Sequence, residues 1–445
     1  MRKILASLVF GVLAGGVSWP FFEPAQAELL GIVAFLVAMW TWNALPLGIV
    51  SLLPILFFPA FGIMKMGEVA PNYAKSVVFL FLGGFMVAIA MQKTGLHVQV
   101  SRRLLRVFPH TPTGIIYAMA VISALLSSVL SNTTITLMLM PIGMFLTDNR
   151  RLKTRILLAI AYGASIGGIF TPIGTPPNLI LLGYLEEIGR QAPTFGMWMG
   201  MTAPVVCAML VAMPWLLSRG VKGEKIGNVA EQPEPYTREQ KMLVWLIGAL
   251  CVVLVANTPV KPWWPGLGLN EKGLLLAAGV ALFLPGIGLL NWEDTREVPW
   301  EILFLFGAGF SIASAKWVAP KAEALAGKLA FVHALPLWVT LFIVALVVSF
   351  ATEITSNTAL TSISLPVMAQ LYGPQHPATM LILMVTTVAA SYAFMLPIAT
   401  PPNAIIMGSR CVKISTMARV GVVIDLLGVA AVVSAAYFIW RFALG

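Results

Sequence analysis

Charge is scarce in this chain. Asp, Glu, Lys and Arg make up only 10% of its 445 residues, against 59% hydrophobic, a balance that excludes an ordinary soluble domain. Cysteine is almost absent too. Cys207, Cys251 and Cys411 lie in or beside apolar runs at wide spacing, which gives neither a metal motif nor a disulfide framework. The four histidines, His97, His110, His333 and His376, fall outside the apolar runs without ligand spacing. There is no His-Glu-x-x-His, and no Ser/His pair inside an apolar run, so an intramembrane enzyme would lack both metal and nucleophile–base pair. The chain reads as no enzyme. Alternating short segments are missing as well, which excludes a membrane barrel. The net charge of +10 raises the question of nucleic acid. The Lys and Arg, however, sit in short loops with no basic face and no interleaved aromatics, so they read as topology signals.

What the chain does have is a succession of apolar runs near the length that crosses a bilayer as helix. The fold class is an all-α polytopic membrane protein. Residues 1–27 read as an extra N-terminal transmembrane helix; Met1-Arg2-Lys3, the run Ile4–Trp19 and Ala25-Gln26-Ala27 also share the outline of a secretory signal. Leu29–Ala44, Leu45–Phe61 and Val77–Lys93 follow as spans, the last carrying the small pair Gly83-Gly84. His97–Phe108, with Arg102, Arg103 and Arg106 among apolar residues, fits a helix lying in the membrane surface. Thr113–Leu146 is too long for one crossing and too short for two, and both flanks are basic. It must return to the side it entered, as a re-entrant hairpin with its tip at Ser131-Asn132-Thr133. Ile156–Ile188 is a span broken at Gly174 to Asn178, Phe195–Leu217 crosses back, and residues 218–241 form a cytoplasmic linker.

The plan then repeats. Met242–Asn257, Gly273–Leu289 and Glu301–Ala315 are spans, and Lys316–Val332 is a surface helix. Leu335–Leu371 is a second hairpin with its tip at Ser356-Asn357-Thr358. Met380–Met407 is broken at Ala399 to Asn403, and Val420–Phe442 comes last. Ser131 and Ser356 lie 225 residues apart, and so do Gly174 and Ala399, Pro141 and Pro366, and Phe79 and Phe304. Shared spacing at four features marks an internal duplication: residues 28–217 with hairpin 113–147, and 242–445 with hairpin 335–371. The layout has about 11 transmembrane helices and two hairpins, with the N-terminus cytoplasmic and the C-terminus outside. About 19 of the 28 Lys and Arg then fall on the cytoplasmic side. An odd number of spans separates equivalent points, so the repeats are inverted. That is a transporter signature, with the site at the repeat interface near the bilayer midplane. The location implied is the cell membrane, multi-pass, a bacterial inner membrane.

The chemistry of the repeated motifs follows from helix ends placed inside a bilayer. N-terminal ends offer unpaired N–H groups and positive partial charge, which suit an oxyanion. Ser, Asn and Thr cap such ends and add polar groups. C-terminal ends offer carbonyls, and Pro176-Pro177 and Pro401-Pro402 remove N–H donors that would occupy them. Carbonyl oxygens of this kind take Na+ in transporters with broken helices. No Lys or Arg lies within the spans near these motifs, so a bound anion calls for co-bound cations. Glu353 and Asp425 are the intramembrane acids. Glu353, three residues before the second tip, suits a structural or coupling role, and Asp425 reads as a buried hydrogen-bonded acid. A Na+/H+ antiporter calls for paired acids, and these two belong to different segments without repeat partners.

With Ser-Asn-Thr at both hairpin tips, the chain resembles the divalent anion:sodium symporter family over nearly its whole length. The resemblance implies a homodimer in the membrane lipid and an elevator mechanism, in which a transport domain slides against a scaffold. It implies Na+-coupled uptake of C4-dicarboxylates such as succinate, malate and fumarate. A Na+-independent exchanger, or a Na+/sulfate or citrate symporter on the same fold, is the alternative. Substrate carboxylates are expected at Asn132, Thr133, Asn357 and Thr358, with Thr175, Pro176, Thr400 and Pro401 nearby. One Na+ site is expected at Ser127, Ser131, Asn132 and Gly174, the other at Thr352, Thr355, Asn357 and Ala399. Thr175 stands where some relatives have Ser, and Thr355 matches a position served by a main-chain carbonyl.

Overall fold

In a bilayer each backbone N–H and C=O needs an internal partner, and a helix supplies it within one segment. The computed structural model describes residues 1–21, 24–42, 44–221, 223–224, 226, 234–259, 263–315, 335–373 and 375–444, and no β-strand occurs among them. The first half runs α1 (Arg2–Ser18), α2 (Pro24–Thr41), α3 (Leu47–Ala60), a single turn α4 (Met66–Val69), α5 (Ser76–Lys93), α6 (Leu96–Val107), α7 (Pro112–Ser127), α8 (Asn132–Phe145), α9 (Arg150–Gly168), α10 (Pro176–Glu187) and α11 (Phe195–Leu217). The second half runs α12 (Arg238–Ala256), α13 (Glu271–Ala281), α14 (Trp300–Ser314), α15 (Leu337–Thr352), α16 (Asn357–Tyr372), α17 (Pro377–Ala390), α18 (Pro401–Gly408) and α19 (Ile414–Ala435).

Helix–turn–helix pairs occupy residues 112–145 and 337–372, and the chain leaves helical form between α9 and α10 and between α17 and α18. Three boundaries differ from those expected. The first tip turns at residues 128–131, and Asn132 and Thr133 already belong to α8 because Ser131 caps that helix. The second tip is shifted the same way, with Asn357 opening α16. The expected span Gly273–Leu289 is helical only as far as Ala281, and Gly286 and Gly288 beyond it take positive φ. The expected surface helix Lys316–Val332, His333 and part of the linker lie outside the described residues. Among the described residues, four helical stretches are each long and apolar enough to cross a membrane, namely Met66–Lys93, Phe195–Leu217, Arg238–Ala256 and Ile414–Leu444. The other apolar helices run 10–17 residues.

Packing repeats between the halves. α7 lies along α9 and α15 along α17, so each hairpin leans on its own broken span. The first of these contacts is close because Gly163 and Gly167 face Ala120 and Ala124; a Cβ on Gly167 would sit 2.1 Å from the Ala124 carbonyl oxygen. Small residues permit this approach between membrane helices. Gly167→Leu therefore forces the hairpin off α9. Overpacking of this sort costs about 1–3 kcal/mol, and a lowered thermal unfolding midpoint of the purified chain is the expected result.

A second group of close contacts lies among the plain spans. α5 packs against α13, and α3 against α14. A Cβ on Gly83 would lie 2.3 Å from the Leu275 carbonyl oxygen, and the Phe81 and Phe306 rings meet at 4.8 Å. Polar contacts gather at the two ends of α5, which lie about 27 Å apart. Near Lys75 are Glu186, Glu187, Lys272 and Ser314. At the other end, Lys93 pairs with Asp294 at 2.7 Å and Gln240 Nε2 donates to the Thr94 carbonyl at 2.8 Å. α6 is amphipathic as expected, with Leu96 and Leu105 buried and Arg106 exposed.

Candidate functional site

The first half-site grows from the cap of α8. Ser131 Oγ accepts the Thr134 amide at 3.2 Å, which starts the helix and leaves its first N–H groups without intrahelical partners. Ser127, the last residue of α7, donates its hydroxyl to Asn132 Oδ1 at 2.5 Å. That bond closes the tip and leaves Asn132 Nδ2 as a donor. Gly168 ends α9 beside it: a Cβ there would be 2.9 Å from Asn132 Oδ1 and 3.3 Å from Thr175 Cβ. Gly174 folds back so closely that a Cβ would lie 2.5 Å from the Gly168 carbonyl oxygen. Neither position has room for a side chain. Asn132, Gly168, Gly174 and Thr175 thus converge.

The break is held open by one side chain. Asn178 Nδ2 donates to the carbonyls of Gly168 at 3.1 Å and Thr171 at 2.9 Å, across the gap between α9 and α10. Pro176 and Pro177 open α10 and have no N–H to compete for those carbonyls.

The second half-site repeats this at the same offset. Thr352 Oγ1 lies 2.6 Å from Asn357 Oδ1 and 2.9 Å from the Ala390 carbonyl. Asn403 Nδ2 donates to the carbonyls of Ala393 at 3.0 Å and Leu396 at 3.1 Å. Thr400 Oγ1 accepts the Asn403 amide at 3.4 Å. The halves also interlock: α8 packs against α18, and α16 against α10. The helix starts at Asn132, Pro176, Asn357 and Pro401 therefore belong to one packed unit.

Burial separates the two expected residue sets. Asn132, Thr133, Asn357 and Thr358 are half-buried, and Pro401 is exposed. Ser127, Gly174, Thr352 and Ala399 are buried behind them. Their donor atoms are oxygens only, which suits a hard cation. Two expected Na+ residues fit less well through their side chains. Ser131 is exposed and its Oγ is taken up by Thr134. Thr355 Oγ1 donates to the Ala351 carbonyl at 2.8 Å, which leaves Thr355 its main chain. Asn178 Oδ1 and Asn403 Oδ1 are buried without a hydrogen-bond donor among the described residues. They are two further acceptors that the motif contained and the sequence reading left without a role.

The two acids do not stay apart. Glu353 Oε1 accepts the Met395 amide at 2.7 Å and Oε2 the Leu396 amide at 2.8 Å, clamping the second tip onto the second break. The equivalent tie in the first half is different: the Thr171 hydroxyl donates to the Ser128 carbonyl. α19 presses on the same loop, since a Cβ on Gly421 would be 2.2 Å from the Phe394 oxygen. One turn on, Asp425 is fully buried beside Glu353. Its carboxyl faces the Glu353 carboxyl and the Phe394 backbone amide. Asp425 is thus a buried acid with hydrogen-bond partners, as expected, but its partner is the other intramembrane acid, which their places on different segments did not suggest. Their meeting depends on three segments, residues 353, 394–396 and 421–425, that no local pattern connects.

The citrate transporter family (CitMHS) matches residues 35–389. The sodium-dependent dicarboxylate transporter SdcS of Staphylococcus saprophyticus is 28% identical over 473 residues, covering 98% of this chain and 91% of that protein. SdcS of Staphylococcus aureus strain MRSA252 is also 28% identical, over 490 residues, covering 99% and 92%. Among solved structures, the crystal structure of the Alcanivorax borkumensis YdaH transporter shares the fold with a TM-score of 0.57. Its identity is 16%, over 94% of this chain and 99% of that one.

Proposed function

The chain belongs to the citrate transporter family, which bears out its resemblance to the divalent anion:sodium symporters, and from that premise we propose that it couples inward Na+ flow to uptake of C4-dicarboxylates such as succinate, malate and fumarate. One observation carries the reading: a hydroxyl–amide pair at each tip and an amide staple across each break, repeated at one offset. Four helix starts favour a dianion, and the buried oxygens behind Asn132 and Asn357 favour the cations that balance it. Substrate contacts are assigned to Asn132, Thr133, Thr175, Pro176, Asn357, Thr358, Thr400 and Pro401. Na+ is assigned to Ser127, Asn132, Gly174, Thr352, Asn357 and Ala399, with main-chain contributions at Ser131 and Thr355.

α7–α11 with α15–α19 form the transport domain of an elevator, and α2–α5 with α12–α14 the scaffold of a homodimer. A polar network between the two helix sets supports this division. Lys272 Nζ lies 2.7 Å from Glu186 Oε2 and 2.6 Å from Ser76 Oγ; Lys75 Nζ lies 3.2 Å from Glu187, and Ser314 Oγ donates to Glu187 at 2.7 Å. Such a network holds a sliding domain at one end of its travel. Partly exposed ion pairs are worth about 0.2–1 kcal/mol each, so Glu186→Gln with Glu187→Gln changes the maximal uptake rate a few-fold. Substrate affinity stays put, because neither residue touches the half-sites. Initial-rate kinetics check both parts.

Counterflow tests the coupling. Proteoliposomes loaded with unlabelled succinate, citrate or sulfate are placed in labelled succinate with no Na+ on either side. Symport predicts negligible label entry. Rapid entry driven by internal dicarboxylate would instead assign an exchanger, and preference for internal citrate or sulfate would move the substrate class.

A further inference from the structure

The basic residues that mark topology also build a cavity. It measures about 420 Å³, and its wall carries Arg150, Arg151, Arg155 and Lys413 together with Thr154 and Thr416. No acidic side chain lines it among the described residues. The positive-inside rule accounts for the sign of these charges but not for their convergence. The three arginines open α9 in the first half, whereas Lys413 precedes α19 in the second.

The wall is fixed in place. Thr154 Oγ1 donates to the Cys411 carbonyl at 2.9 Å, tying α9 to the turn before α19. None of the four cations forms an ion pair among the described residues. The neighbouring acid Glu224 is engaged by Asn149 Nδ2 instead. Arg151 and Arg155 stand one turn apart on α9, a like-charge spacing that destabilises a helix. α19 begins without a side-chain cap, so its electropositive start adds to the same field. A wall that gathers unpaired cations from two halves of the chain is built for an anion.

We propose that this cavity binds a phosphate-type oxyanion, supplied either by an anionic phospholipid headgroup or by a soluble phosphate. Guanidinium groups match phosphate oxygens in paired hydrogen bonds, and the volume is that of a small-molecule site. The cavity is separate from the paired breaks: Arg155 lies about 20 Å along α9 from Gly168. A bound anion bridges α9 and α19 and stiffens the seam between the two halves.

The test is the thermal unfolding midpoint of the purified full chain. It is measured in micelles doped with phosphatidylglycerol or phosphatidylcholine, and in phosphatidylcholine with added pyrophosphate. Wild type is compared with Arg155→Gln/Lys413→Gln and with Lys413→Gln alone, whose side chain is exposed and whose loss spares the fold. Na+-stimulated succinate uptake checks that each variant is intact. An upward shift with phosphatidylglycerol that falls by half or more in the variants assigns the site to a headgroup. The same pattern with pyrophosphate assigns it to a soluble phosphate. Equal shifts in wild type and both variants, or a shift given by succinate but by neither phosphate, would overturn the proposal.

Discussion

Asn132→Ala is expected to abolish Na+-driven succinate uptake, and Asn357→Ala to do the same. Each amide sits where two requirements meet. Asn132 Oδ1 is drawn to the Ser127 hydroxyl and Asn357 Oδ1 to Thr352, so each oxygen already lies among the acceptors assigned to Na+. Each nitrogen is left to donate to a carboxylate. Hydrogen bonds to charged groups are worth about 1.5–3 kcal/mol, roughly 10- to 150-fold apiece. On the proposed assignment, alanine removes the anion contact and the cation ligand together, and the losses multiply because each ion balances the other. Uptake then falls into the background. The fold survives, since Asn132 and Asn357 are half-buried first-turn residues rather than core. Uptake per unit of protein recovered from the membrane, with gel filtration as the control, is the measurement.

Glu353→Ala is expected to be nearly as damaging by a different route. The carboxylate is buried and receives the amides of Met395 and Leu396. Removing it leaves two part-buried N–H groups without that partner, at up to about 1–3 kcal/mol each. The loop from residue 391 to 400 loosens, and Ala399 and Thr400 lose their places behind and beside the substrate. Uptake should drop at least tenfold, with the Na+ concentration for half-maximal uptake rising more than that for succinate. Glu353→Gln keeps one acceptor oxygen and recovers part of the activity. A purely structural role would lower the amount of folded protein and leave both half-saturation values alone.

Much of this arrangement is legible in the sequence because the bilayer removes alternatives. The basic flanks around residues 113–146 force a hairpin, and Gly174 to Asn178 forces a break; α7, α8, α9 and α10 fall accordingly. The 225-residue offset holds down to single hydrogen bonds, with Ser127–Asn132 answering Thr352–Asn357 and Asn178 answering Asn403. What stayed hidden is long-range. Glu353 reaches residues 395 and 396, and Asp425 comes to lie beside it, through packing of α19 on a loop whose only local sign is Gly421. Each tip lies a few residues before the Ser-Asn-Thr motif's centre, because a Ser that caps a helix looks the same in sequence as one inside the turn.

The most direct measurement of the central claim is accumulation of labelled succinate in proteoliposomes under an inward Na+ gradient, with K+ replacing Na+ in a parallel set. Wild type should concentrate succinate above the external level only with the Na+ gradient, and Asn132→Ala and Asn357→Ala should not exceed protein-free vesicles. Equal uptake in K+, or undiminished accumulation by either variant, would contradict the account.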